Sequence, residues 1–525
     1  MEMRKYRKLV ATFGSISLGL GIFLGGVCSS TAWSADYTWN GGDGNWIGNP
    51  DGWTPNKVPG NGDTATINSG TVTSNGSLVI SNATINVNGG ALHVNGSDFT
   101  IHTNTDVVQT GGEVKMTGDS KWFNLGESRK DNQNISLEDG ASTYTMTGGT
   151  LDVAGNFCIG RRGQGHFTMS GADTTVSVKD MLFGYFAEMS GGSTFNLNGG
   201  TFTVTGLSRL GGNAGPELSA ADMTADYTFT IDGGKYISQG ETYVGFYNSN
   251  YNKHNGHHLE STLYLKSGEW DAQGAVGVAG GDITNSQNSV TGLIDISGGI
   301  ASFKNGIYVG SGKGSNGTVK ITNANVSFAG TTNVGNSLNS KGTIDISGGT
   351  VTFKNSPNIG HGENSTGVVN LSGSSTTTFE NGFSIAPGTS VNGSMTISDN
   401  ANVSVSGWVL IGTGTNATGT LNITGGTTDF NGEFRVGGDN AGSSGILNIS
   451  GGNTTFNNHI YIGRSSSNGT GEMTISGDST VVNFKTGIVC VGEGANGDGV
   501  MNINGGTITG ETIHVGHNNS VKMPY

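Results

Sequence analysis

The chain has 525 residues, 94 of them Gly and only 7 Pro, with 25 basic against 39 acidic side chains and a net charge of −14. Glycine does not recur at every third position, which excludes a collagen helix. With charged residues at only 12% and Val, Ile, Leu and Phe returning at fixed spacings, a disordered chain is a poor fit as well. The acidic balance argues against nucleic acid and anionic membrane surfaces as partners, since both need basic patches.

Residues 1–35 read as a targeting segment. Arg4, Lys5, Arg7 and Lys8 precede an apolar run from Leu9 to Val27, and small residues follow around Ala32 to Ala35. This is the order of charged region, apolar core and cleavage region found in a secretory signal; the run approaches spanning length, so a retained anchor is the alternative. Losing the segment would remove those four bases and Glu2, taking the net charge from −14 to −17. No second long apolar run follows, so the sequence predicts a mature chain without a membrane span, placed outside the cytoplasm.

Residues 36–70 carry Trp39, Trp46 and Trp53 at seven-residue spacing, within Y-T-W-N-G-G-D-G-N-W and P-D-G-W-T-P. The expected role is an N-terminal cap that seals the first coil with aromatic bulk. A sharper reading makes the three rings a stacking surface for sugars.

From residue 71 onward the chain repeats. One octet returns as G-L-I-D-I-S-G-G at Gly292, G-T-I-D-I-S-G-G at Gly342, G-T-L-N-I-T-G-G at Gly419 and G-V-M-N-I-N-G-G at Gly499, with copies between them at steps of 25 to 28 residues. Looser copies start at Ser142, Gly165, Ser193, Tyr227 and Ser261. About eleven residues into each unit comes an aromatic such as Phe303, Phe353, Phe430 or Phe456, followed by a tetrad such as I-Y-V-G at Ile307, F-R-V-G at Phe434 or I-Y-I-G at Ile460. Both motifs alternate apolar and polar residues, the period of a strand: Leu421 and Ile423 inward with Asn422 outward, Ile307 and Val309 inward with Tyr308 outward. The Gly-rich corners between them admit positive φ. The prediction is an all-β right-handed parallel β-helix, three short strands per coil and about 15 coils of 25–26 residues. A propeller blade would need repeats of roughly 40–50 residues.

Outside the targeting segment the cysteines are Cys158 and Cys490. A dozen coils between them place them roughly 60 Å apart, so no disulfide joins them.

The opening W-N-G-G-D-G-N-W, the segment P-G-N-G-D-T-A-T-I and the G-x-L-x-I-S-G-G repeats resemble secreted bacterial β-helix proteins of the autotransporter-passenger type. The resemblance covers nearly all of the expected mature chain and rests on repeat grammar. It implies an exported, surface-displayed protein, often adhesive. Autotransporters end in a membrane barrel, whereas this sequence stops at V-K-M-P-Y, so attachment would fall to a partner unless the chain is truncated.

Polysaccharide hydrolases and lyases also use β-helices. Asn104-Thr105-Asp106 and Gly360-His361-Gly362 echo short polygalacturonase motifs, but a separation of roughly 45–50 Å exceeds the ~5–10 Å over which paired carboxylates act. Asp295, Lys320 and Asp345 fall in one outward column, read mainly as a solvated charge ladder. Thr376-Thr377-Thr378, Thr427-Thr428 and Thr454-Thr455 give only a partial threonine ladder of the ice-binding kind. The most informative irregularity is a set of insertions near 212–226, 246–260 and 280–290, expected to project from one edge. The middle one carries Tyr247, Tyr251, His254, His257 and His258, read as ligand contacts, with Trp39, Trp46 and Trp53 as a second candidate set. No cofactor, metal or catalytic residue is expected. The function expected is a secreted or cell-surface structural or adhesion module contacting glycans or surface proteins; the alternative is a polysaccharide-degrading enzyme.

Overall fold

The computed structural model describes residues 34–128, 140–185, 192–211, 223–246, 257–281, 289–464, 468–485, 487–510 and 512–516. They form a parallel β-helix of 48 strands. Each coil lays down three strands, and each strand pairs in register with its equivalent one coil on. The octets make a first face: Gly292↔Gly317, Ile294↔Val319 and Ile296↔Ile321 pair, then Gly317↔Gly342 and onward. The aromatic segments make a second face (Phe303↔Phe328↔Phe353) and the tetrads a third (Val409↔Phe434↔Ile460). Among the described residues, no helix is long and apolar enough to cross a membrane.

Alternation sets which side chains enter the core. In Lys341–Ile346, Gly342, Ile344 and Ile346 are buried while Thr343 and Asp345 point outward. Inward residues stack into columns along the whole helix, each side chain contributing roughly 1.5–3 kcal/mol on burial. On the second face, Phe303, Phe328, Phe353 and Phe379 form a ladder with centroids 5.1, 4.6 and 4.8 Å apart and nearly parallel planes. Val405 interrupts it before Phe430 and Phe456 resume at 5.1 Å. Such offset stacking adds to the burial of the rings.

The glycine that opens each octet has a packing cause. A Cβ on Gly367 would lie 2.5 Å from the Val334 carbonyl oxygen and closer still to the Gly360 amide nitrogen. The first face therefore approaches the third backbone to backbone, and Gly360, at φ +80°, turns the chain in a region that L side chains avoid.

The stack is longer than the sequence period indicates. First-face strands begin at 36, 64, 84, 106, 141, 164, 194, 223, 257, 289, 316, 341, 366, 392, 418, 444, 470 and 498, eighteen rungs rather than fifteen, or about 80 Å of helix at the strand spacing. The extra rungs lie at the N-terminal end. Asp36–Trp39 already pairs in parallel with Thr64–Ile67, which pairs with Thr84–Val87. The Trp-rich segment is thus the first turn of the helix as well as its cap. Trp53–Thr54 runs antiparallel along the outer edge of Asp36–Trp39 and covers a strand edge that would otherwise be open.

Candidate functional site

The three faces meet at three corners, and the corners are not equivalent. Third-face strands Trp122–Glu127, Ser208–Leu210, Thr242–Phe246 and Val276–Gly280, and the third-face end of Thr175–Phe183, are each followed by one of the segments 129–139, 212–222, 247–256, 282–288 and 186–191. After each segment the chain re-enters the first-face ladder in register, as in Tyr227↔Ser261↔Gly292. The long insertions therefore fall at one edge, between the third and first faces. The second face keeps short connections to both neighbours.

Tyr247, Tyr251 and His254 lie outside the described residues, as does the side chain of His257. His258 stands at the base of that segment, exposed, with Nδ1 2.6 Å from Ser289 Oγ on the next rung. Among the described residues no three His, Cys, Asp or Glu side chains gather into a metal-sized group.

The sugar-stacking reading of the N-terminal tryptophans is corrected. Trp39, Trp46 and Trp53 are buried, with Trp53 packed edge to face against the other two at 5.2 and 5.0 Å. Rings that fill the end of the core offer no open face to a ligand. The threonine ladder is partial for a structural reason: Thr377, Thr428 and Thr454 point inward and are buried, so the threonine runs do not make a continuous surface.

The polygalacturonase-like fragments do not meet. Asp106 lies on the fourth rung and His361 follows the third-face strand of the twelfth, about 38 Å away. Asp295, Lys320 and Asp345 do share one outward column, and Asp345 accepts a 2.7 Å hydrogen bond from Asn370 on the next rung. The thiols of Cys158 and Cys490 are free, buried and twelve rungs apart. Burial pushes Cys158 up to about 12.

No family model, curated protein or solved structure matches this chain. Its functional reading therefore rests on its own surface.

That surface holds two concentrations of chemistry that the period analysis passed over. On the outer side of the third face, Trp408 is 62% exposed. One rung on, the Arg435 guanidinium sits 5.8 Å from the Trp408 ring and pairs with Glu433 at 2.5 Å. On the following rung Tyr461 pairs in register with Arg435, and the Arg464 guanidinium lies 4.4 Å over its ring. Arg464 reaches Glu493 at 3.4 Å and Glu433 at 3.9 Å. A similar group lies nearer the N terminus, where the Arg161 guanidinium packs 5.0 Å over Trp122, Tyr185 meets the same ring at 5.1 Å, and Arg162 pairs with Glu127 at 3.0 Å. The signal was present in the tetrads. F-R-V-G and I-Y-I-G show Arg435 and Tyr461 at the outward position, but the alternation used to find the core discards that position.

Proposed function

We propose that this chain is an exported structural or adhesion module that holds a contact edge away from the surface it is attached to. The observation that carries the reading is the confinement of the long insertions to the corner between the third and first faces. Solenoids vary where they bind and stay regular where they stack. The charged, apolar and small-residue order of residues 1–35 supports export, and the repeat grammar supports a surface-displayed bacterial protein. Partners on this reading are glycans or surface proteins.

The test replaces residues 247–256 with a short Gly-Asn turn and compares attachment of the full chain to cells and to immobilised glycans. The expected result is an unchanged β-sheet spectrum with reduced attachment. Attachment as strong as that of the unaltered chain, both by this variant and by one substituted at Trp408 and Trp122, would overturn the reading.

The second reading, a polysaccharide-degrading enzyme, draws on Asp295 and Asp345, two rungs apart on one column with Lys320 between them. The rung spacing sets their backbones about 10 Å apart, at the wide end of the range used by paired carboxylates. Oligosaccharide release abolished by Asp295→Asn or Asp345→Asn would establish it.

A further inference from the structure

The geometry points to a binding site for a neutral polysaccharide on the outer surface of the third face, between Trp408 and Tyr461. This deepens the adhesion reading and rests on it.

Four observations converge. The rings are presented, not packed away: Trp408 is 62% exposed, and Tyr461 lies outward between Arg435 and Cys490 in the ladder. Ring and guanidinium alternate along the strip, at 5.8 Å for Arg435 on Trp408 and 4.4 Å for Arg464 on Tyr461. Flat surfaces of this kind match the C–H faces of pyranose rings. Trp408 and Tyr461 are two rungs and one outward position apart, so their attachment points are about 12 Å from each other at strand spacing, the reach of a short oligosaccharide.

The strip is also rigid before any ligand arrives. Arg435 is held by Glu433 at 2.5 Å and Asp439 at 3.8 Å, and Arg464 by Glu493 at 3.4 Å. His459, beside Glu433, accepts the Ile488 amide hydrogen at Nδ1, 3.0 Å away. Side chains fixed in advance lose little freedom on binding.

Charge selects the ligand class. Two guanidiniums face three carboxylates, so the strip is slightly negative and its Arg groups are already paired. A uronate or sulfated chain would meet repulsion from Glu433, Asp439 and Glu493, while both guanidiniums are already engaged. A neutral chain meets rings and hydrogen-bonding groups. Towards the N terminus the same outward column continues as Asn333, Asn358 and Ser384, with Asn358 donating to Asn333 at 3.0 Å. Asn358 and Ser384 leave polar groups on this column before Leu410 and the rings, which suits sugar hydroxyls. The strip suits a protein partner poorly, since Trp408 is the one strongly exposed large apolar side chain described on this stretch and stable protein interfaces bury about 1,600 Å² around an apolar centre.

The experiment is affinity electrophoresis of the full chain in gels containing β-1,3-glucan, xylan, galactomannan or polygalacturonate. Wild type, Trp408→Ala and Tyr461→Ala are compared, with circular dichroism to check the fold. The expected result is retardation by at least one neutral polysaccharide, insensitive to added salt and weakened about tenfold or more in both variants. Neutral retardation unchanged in both variants would overturn the site while leaving the adhesion reading in place. Retardation only by polygalacturonate, or by none of the four, would overturn the ligand class; the adhesion reading is then decided separately by the attachment of the 247–256 variant.

Discussion

Replacing Gly367 with Ala tests the packing logic of the helix at a single atom. The added Cβ would lie 2.5 Å from the Val334 oxygen, where about 3.4 Å is needed, and nearer still to the Gly360 nitrogen. Neither neighbour is a flexible side chain that can swing away. The Gly360 amide donates to Val334 at 2.7 Å, and this rung-to-rung bond must stretch or break. Overpacking costs about 1–3 kcal/mol, and a lost buried hydrogen bond adds about 1–3 more. We therefore expect a destabilisation of about 3–5 kcal/mol, against less than about 0.5 kcal/mol for Thr352→Ala on the outward side of the second face. Urea unfolding gives the total. Because coils contact only their neighbours, hydrogen exchange should show protection lost on the rungs around Val334–Leu371 and kept near Phe99–Phe123. A Gly367→Ala protein as stable as Thr352→Ala would refute the backbone-to-backbone contact of the first and third faces.

Three further outcomes follow from the described contacts. Trp53→Ala, at a fully buried site, is expected to lose about 3–5 kcal/mol, whereas Trp408→Ala, 62% exposed, should change thermal stability by less than about 0.5 kcal/mol; equal losses would contradict the division between cap and surface. Burial raises both the Cys158 and Cys490 thiols, so a thiol reagent at pH 8 should label neither until the chain is unfolded, and rapid native labelling would place them at the surface. Asp271 is buried, which by itself raises its pKa, but Lys304 at 2.6 Å and Gln273 at 3.0 Å outweigh this and hold it below its ordinary 3.8. The pair's stabilisation is thus complete above about pH 4 and is lost as acid protonates Asp271 through its lowered value. Lys304→Met should cost about 1 kcal/mol at pH 7, a modest figure because Lys304 is half exposed, and should flatten the acid limb of the stability profile; an identical acid limb would remove the pair from the account.

Much of the fold was legible because the repeat is written in chemistry that alternates. Leu421, Ile423, Ile307 and Val309 were placed inward by their period and are buried, and Phe303, Phe353, Phe430 and Phe456 mark the second face. The early rungs were not counted because T-A-T-I at Thr64 and T-I-N-V at Thr84 lack the opening glycine of the octet and come in coils of 20–22 residues. The corner that lengthens was legible as insertions of irregular size. The Trp408 strip was not, because its members lie about a coil apart in sequence and become neighbours only when the tetrads are stacked in register. Trp39, Trp46 and Trp53 misled in the opposite direction: exposure was the open question, and closure of the helix end buries them.

The measurement that bears most directly on the central claim is a polysaccharide panel on the full chain that scores retention and product release together. The account predicts retention on a neutral polysaccharide, dependent on Trp408, with no oligosaccharide released over long incubation. Release of oligosaccharides that Asp295→Asn or Asp345→Asn abolishes would contradict it and make the outward face of the first sheet a catalytic surface.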